Sequence, residues 1–107
     1  MTETQLQAQI FQYHWNNVPT ERGLLFHVNN KARNAIEGAK FKAMGVVAGV
    51  SDLIYLKPGG KPILIEIKTD NGTQSTEQKK WELHVKSAGY QYLICKSLEE
   101  FIKIIIN

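Results

Sequence analysis

The side chains of this chain best suited to chemistry are two carboxylates and an ammonium group: Asp52, then Glu66 and Lys68, all within GVSDLIYLKPGGKPILIEIK, residues 49–68. Two carboxylates supply the hard oxygen donors that Mg²⁺ or Mn²⁺ prefers, and the Ile67 carbonyl between Glu66 and Lys68 offers a third. Lys68 has the charge to orient a water or to stabilise a pentavalent phosphorane. The set suits hydrolysis of a phosphodiester with a bound divalent cation. Taken alone, D…EIK also fits ordinary strand alternation, so its context decides.

That context is a predicted β-hairpin. Two apolar runs, LIYL (residues 53–56) and ILIEI (63–67), flank Pro58-Gly59-Gly60, which is strong turn chemistry, so the strands pair antiparallel. Alternation places Glu66 and Lys68 on the face of Leu64 and leaves Ile63, Ile65 and Ile67 on the other. Both runs are nearly continuous in apolar residues, as in a sheet covered on both faces, where a charge is costly unless it pairs or binds an ion. Asp52 stands at the mouth of the partner strand.

Around the hairpin, TETQLQAQIFQYHW reads as an amphipathic first helix with Leu6, Ile10 and Tyr13 at helical spacing and Thr2 as its cap. Glu3, one turn before Leu6, either extends the inward stripe to the metal site or complements the helix dipole. His14 reads as a surface residue and Trp15 as a core filler. A strand follows over LLFHVN, residues 24–29, with His27 exposed near the cleft; Asn29-Asn30 marks a break, and Asn34 caps a second helix that Gly45 ends. Its stripe of small residues, Ala35, Ala39 and Ala43 with Ile36, predicts close packing or light attachment. Arg33, Lys40 and Lys42 on this basic segment are candidate phosphate contacts, although for any one lysine a solvated face is the simpler reading. A His-metal nuclease site would need further histidines near His27, and only His84 follows, in another helix.

Ser75 and Gln78 form a capping-box pattern that opens a third helix, closed by Gly89, with Gln78, Trp81, Val85 and Ala88 facing inward and Glu82 and Lys86 outward. Gln78 serves as the cap, or hydrogen-bonds water or phosphate at the site, or does both. Tyr90 to Lys96 is a last strand that a right-handed crossover lays parallel to the Glu66 strand, and Ser97 opens a final helix through Ile106.

The ordered set of Gly49-Val50-Ser51-Asp52, Glu66-Ile67-Lys68-Thr69 and Gln78, preceded by an Asn and an Arg after the first strand and a lysine-bearing helix ending in Gly45-Val46-Val47-Ala48-Gly49, resembles the VRR-NUC type of the PD-(D/E)XK nucleases. Ser51 departs from the pattern, since the family usually has proline there, but that position is not a ligand. The resemblance spans almost the whole chain. It implies an α/β fold with a restriction-endonuclease-like αβββαβ core, a mixed four-stranded sheet flanked by helices, in one domain over residues 1–107. It also implies that Asp52 and Glu66, with the Ile67 carbonyl and Glu3, hold one or two Mg²⁺ or Mn²⁺ ions while Lys68 and Gln78 arrange the attacking water and the scissile phosphate. His27, Asn30, Arg33, Lys40 and Lys42 are the matching candidates for DNA contact. Stand-alone relatives are associated with branched DNA and with phage or mobile elements, so the resemblance implies a structure-selective endonuclease acting on Holliday junctions.

Paired nicks in a junction favour a two-fold homodimer, since a chain of 107 residues has too little surface to hold four arms. The second helix and the isoleucine-rich segment 101–106 are candidate interfaces; the first helix is the other candidate cover for that segment. The rival from a different class is a non-catalytic nucleic-acid-binding module on the same scaffold, and RNA remains open as a substrate. A net charge of +3 favours nucleic acid only weakly. Apolar content of 43% with 21% charged residues is that of a globular protein. The single cysteine, Cys95, sits in an apolar run and reads as a buried hydrophobe, and the closing IKIII is too short to span a bilayer, so a cytoplasmic protein without membrane contact is expected.

Overall fold

The computed structural model describes residues 1–28 and 31–107. In chain order these form α1 (Glu3–Asn17), a 3-10 turn (Pro19–Glu21), β1 (Leu25–His27), α2 (Ala35–Ala43), β2 (Leu53–Tyr55), β3 (Ile63–Ile67), α3 (Thr76–Ser87), β4 (Gln91–Cys95) and α4 (Leu98–Ile106). The strands make one sheet in the order β1-β2-β3-β4. β1 and β2 pair antiparallel, as do β2 and β3, with Leu53 opposite Ile65; β3 and β4 run parallel, with Glu66 opposite Ile94. This is the expected αβββαβ order, with α2 inserted after β1 and α4 appended.

The helix starts were legible because their caps are chemical. The Thr2 and Ser75 hydroxyls accept from the backbone N–H groups of Gln5 and Gln78, whose own side chains return the bond in full capping boxes, and Asn34 and Ser97 cap α2 and α4. β1 is shorter than LLFHVN suggested, yet the ladder runs past it in both directions. Leu56 N–H donates to Leu24 O at 2.7 Å and Val28 N–H to Asp52 O at 3.0 Å.

The main core lies on one face of the sheet, where Leu6 and Ile10 of α1 and Phe101 of α4 meet Leu25, Leu53, Ile63, Ile65 and Ile67. Ile104 and Ile105 also pack there, so α1 covers part of the isoleucine-rich tail, while Ile106 stays exposed. On the opposite face Trp81 of α3 sets its ring edge against Tyr92, 6.0 Å between centroids. β3 is thereby buried along its whole length, the two-sided cover that its apolar run predicts.

Three expectations need correction. His14 is buried rather than on the surface, because its ring N–H at Nε2 donates to Glu21 Oε1 at 3.0 Å and its ring meets Tyr55 and Phe101 edge-on. Trp15 is exposed rather than in the core, stacked on Phe11 and covered by the Arg22 guanidinium at 5.0 Å. On α3, Ala88 is exposed and Glu82 is the partly covered residue, held by Gln74 and Lys86. α2 buries none of its side chains, so its small-residue stripe leaves it lightly held. Cys95 is buried, and that burial pushes its thiol up to about 11. Among the described residues no helix is long and apolar enough to cross a membrane.

Candidate functional site

β3 and β2 carry the two carboxylates to the same end of the sheet. Asp52 extends β2 by one residue, and the antiparallel register continued by one places it opposite Glu66. Its Oδ2 accepts the Ile67 backbone N–H at 2.7 Å, which fixes the side chain against β3 and leaves Oδ1 for another partner. Glu66 is fully buried. Its Oε1 accepts the Tyr92 hydroxyl, and its Oε2 is the one buried side-chain nitrogen or oxygen without a hydrogen-bond partner among the described residues. Burial raises the Glu66 carboxyl above its usual range; Tyr92, Lys68 and, to a smaller extent, Gln74 oppose the shift, and Asp52 reinforces it.

Glu3, His27, Asp52 and Ile67 share the wall of an open cavity of about 330 Å³ with Thr4, Gln7 and Lys31. α1 therefore brings Glu3 to the carboxylate end of the sheet, and Glu3 stands as well in the first turn of that helix, where a carboxylate complements the dipole. Its carboxylate also rests on the turn after β3: a Cβ at Gly72 would lie 3.0 Å from Glu3 Oε2 and 3.2 Å from Lys68 Cδ. Lys68 thus flanks the site from that turn, half-buried. His27 donates from Nδ1 to the Asp52 carbonyl at 2.9 Å, which anchors the ring and leaves Nε2 as the other functional nitrogen.

The segment leading to Asp52 is held against α3 by close backbone approach at Gly49. Its φ of +83° suits glycine, and a side chain there would strike the Glu77 carbonyl and the Gln78 nitrogen, the latter at 2.9 Å. Gln78 accepts the Ser75 N–H on its Oε1 at 2.8 Å, and its amide nitrogen is the donor it has for water or phosphate. Ser51, in the position of the expected proline, is buried and donates to Leu53 O at 3.1 Å.

Of the basic candidates, Arg33, Lys40 and Lys42 do not line this wall. Arg33 is engaged by Glu37, its Nη2 at 2.8 Å and its Nε at 3.0 Å from Oε2, so a phosphate would compete with that pair. Lys42 borders a larger cavity of about 520 Å³ between α2 and residues 45–48, whose other lining residues include Phe41, Val46 and Val47. That cavity is apolar and contains no carboxylate, whereas the smaller one has Glu3 and Asp52 on its wall. Asn30 lies outside the described residues.

The donor set fits a hard divalent cation, on two observations made among the described residues: a buried carboxylate oxygen without a hydrogen-bond partner, and a second carboxylate whose other oxygen accepts no hydrogen bond. Among the described residues no three His, Cys, Asp or Glu side chains converge as a ready-made cluster. A cation here would be completed by the Ile67 carbonyl and water, as Mg²⁺ commonly is. Sequence reasoning missed Tyr92 and Gln74. Tyr92 was within reach of it, because the parallel register puts Leu64 opposite Tyr92 and so sets Tyr92 on the Glu66 face, one diagonal step away. Gln74 sits in a loop with no periodicity to flag it.

A family profile described as "VRR-NUC domain" matches residues 2–99. A solved structure described as "VRR_NUC domain protein" is 24% identical, covers 99% of this chain and 86% of its own, and superposes with a TM-score of 0.75. Another, described as "VRR_NUC domain", is 17% identical over 100% of this chain and 98% of its own, with a TM-score of 0.63. At these identities the two structures speak for the fold. No curated protein matches the chain.

Proposed function

Since the chain belongs to the VRR-NUC domain family, a nuclease family, we propose that it is a Mg²⁺- or Mn²⁺-dependent endodeoxyribonuclease that cuts branched DNA such as four-way junctions. The observation that carries this reading is Glu66, a fully buried carboxylate with one oxygen unpaired and Asp52 opposite it. An arrangement of that kind is costly in an apolar sheet and becomes favourable once a cation neutralises it.

In this reading Asp52 Oδ1, Glu66 Oε2 and the Ile67 carbonyl hold the cation, with Glu3 contributing directly or through water. A bound divalent ion supplies Lewis acidity at the phosphoryl oxygen and a lowered pKa for water. Lys68 orients the attacking water and offsets the charge that builds on the phosphorane, and the Gln78 amide nitrogen donates to water or phosphate. Lys31 and His27 on the cavity wall, with Arg33, Lys40 and Lys42 farther out, position the DNA backbone without reading sequence. Two copies related by a two-fold axis place two such sites on a junction. The surface of α2 and its C-cap, where Ile36 and Met44 are exposed, supports an interface there.

The test is to incubate the protein with linear, flap and four-way DNA in Mg²⁺, Mn²⁺ or EDTA, alongside Asp52→Ala and Glu66→Ala. Cation-dependent cleavage lost in both variants while the circular-dichroism spectrum is kept is the expected result. Persistent Mg²⁺-dependent cleavage by purified Asp52→Ala would sink the assignment. Light scattering showing a monomer, free and on junction DNA, would leave a single-nick enzyme as the better description.

A further inference from the structure

Behind Glu66 lies a chain of polar side chains that the proposed chemistry does not use. Lys86 Nζ donates to Glu82 Oε2 at 2.6 Å, and Glu82 Oε1 accepts from Gln74 Nε2 at 2.8 Å. Gln74 Nε2 also lies 3.4 Å from the Tyr92 hydroxyl oxygen, and that hydroxyl donates to Glu66 Oε1. The direction of each bond is set by chemistry. The ammonium and the amide nitrogen can only donate, so the Tyr92 oxygen accepts from Gln74 and its single proton is directed at Glu66.

We infer that Tyr92 is a positioning residue for the cation site: its hydroxyl holds Glu66 by one oxygen so that the other, Oε2, is presented bare to the metal, and Gln74 with the Glu82–Lys86 pair holds the hydroxyl in turn. This rests on the metal-dependent reading above and adds to it how the ligand is oriented. Three features separate such a role from packing. Tyr92 is only 4% exposed and its ring already rests on Trp81, so a phenylalanine would meet the packing demand without bringing a hydroxyl to be satisfied. A hydrogen bond serving stability alone would be better served by a neutral acceptor than by a buried carboxylate that keeps an unpaired oxygen. The clamp also engages one oxygen and spares the other, the geometry required of an outer-shell donor to a carboxylate ligand.

His14, Glu21 and Tyr55 provide an internal comparison. There too a buried tyrosine hydroxyl donates to a carboxylate, Tyr55 to Glu21 Oε1 at 2.7 Å, but a histidine shares that oxygen and the cluster lies away from the cavity. Tyr55→Phe therefore removes the same type of bond without touching the site.

The experiment is calorimetric titration of Mn²⁺ into wild-type protein, Tyr92→Phe, Gln74→Ala and Tyr55→Phe, without DNA, with thermal melts of each in EDTA. Tyr92→Phe is expected to weaken Mn²⁺ binding by about 10- to 100-fold, the range seen when outer-shell partners of metal ligands are removed. Gln74→Ala is expected to weaken it to a smaller extent, and Tyr55→Phe to leave it unchanged. A folded Tyr92→Phe that binds Mn²⁺ as wild type does overturns the inference and leaves the metal reading standing. If Tyr92→Phe does not fold, Gln74→Ala decides in its place, and unchanged affinity there overturns the inference equally. No Mn²⁺ binding by wild-type protein overturns the metal reading itself, and this inference with it.

Discussion

Replacing Glu66 by glutamine separates what that residue does for the fold from what it does for a cation. The amide keeps an oxygen for the Tyr92 hydroxyl and exchanges the unpaired Oε2 for an unpaired NH₂. An unsatisfied buried group costs about 1–3 kcal/mol, with neutral groups toward the low end and charged ones above it. Glu66→Gln in EDTA should therefore gain at least about 1 kcal/mol at a pH above the folded pKa of Glu66, or about 4 °C in Tm for a chain of this length. The sign with pH follows from the raised carboxyl of Glu66. The native state keeps a proton that the unfolded chain has released, so this stability is fully present below the unfolded pKa and is lost as pH rises through the folded one. The wild-type melting temperature should fall across that interval relative to the variant. A divalent cation reverses the order, since saturation at a hundred times Kd stabilises the wild type by about 2.7 kcal/mol and the variant by much less. Differential scanning calorimetry in EDTA and in Mn²⁺ over a pH series reads all three effects. A variant that melts below wild type in alkaline EDTA, or that Mn²⁺ stabilises as strongly as wild type, would refute the reasoning.

Lys68→Ala should retain Mn²⁺ binding by calorimetry yet lose cleavage by about 10²–10³-fold, because its cation acts on water and phosphate; equal loss of both would make it a structural residue. Gly49→Ala must adopt a left-handed backbone against the Glu77 carbonyl and should destabilise by more than about 2 kcal/mol in urea titrations, whereas an unchanged midpoint would mean that this segment does not dock on α3. Burial pushes the Glu21 carboxyl up, but the hydrogen bonds from His14 and Tyr55 outweigh it and hold the group below its usual range. That stability is present above the unfolded pKa and disappears as pH falls through the folded one, so Glu21→Gln should flatten the acid limb of the stability profile; an identical acid limb in the variant would contradict this.

The hairpin, the helix caps and the parallel last strand were legible because each has a local chemical signature: Pro-Gly-Gly between apolar runs, Ser or Thr three residues before Gln or Glu, and a crossover of one hand. Asp52 and Glu66 were legible as a pair because alternation fixes their face once the hairpin is granted. His14 and Trp15 were misplaced although the spacing favours His14, which follows Leu6 and Ile10 at four-residue steps; the polar imidazole masked that signal, because nothing local shows its partner. Glu21, well after His14 in sequence, is that partner and accepts the imidazole N–H. The Gly49 contact with α3 and the Gln74 bonds join segments with no shared repeat, so no pattern in the sequence points to them.

The sheet order β1-β2-β3-β4 follows the order of the chain, and this bears on how the molecule assembles. The β2-β3 hairpin closes over a short loop, while β4 reaches β3 only across the connection that contains α3, so its docking carries a larger loop-closure entropy than the hairpin does. Until β4 arrives, Glu66 faces water on its outer side and can stay ionised without penalty. The strand that drives water from Glu66 is also the strand that carries Tyr92. The pairing of β4 with β3 that buries the carboxylate thus delivers in the same motion the hydroxyl that satisfies half of it, and a chain lacking that pairing would have the hairpin but no oriented ligand.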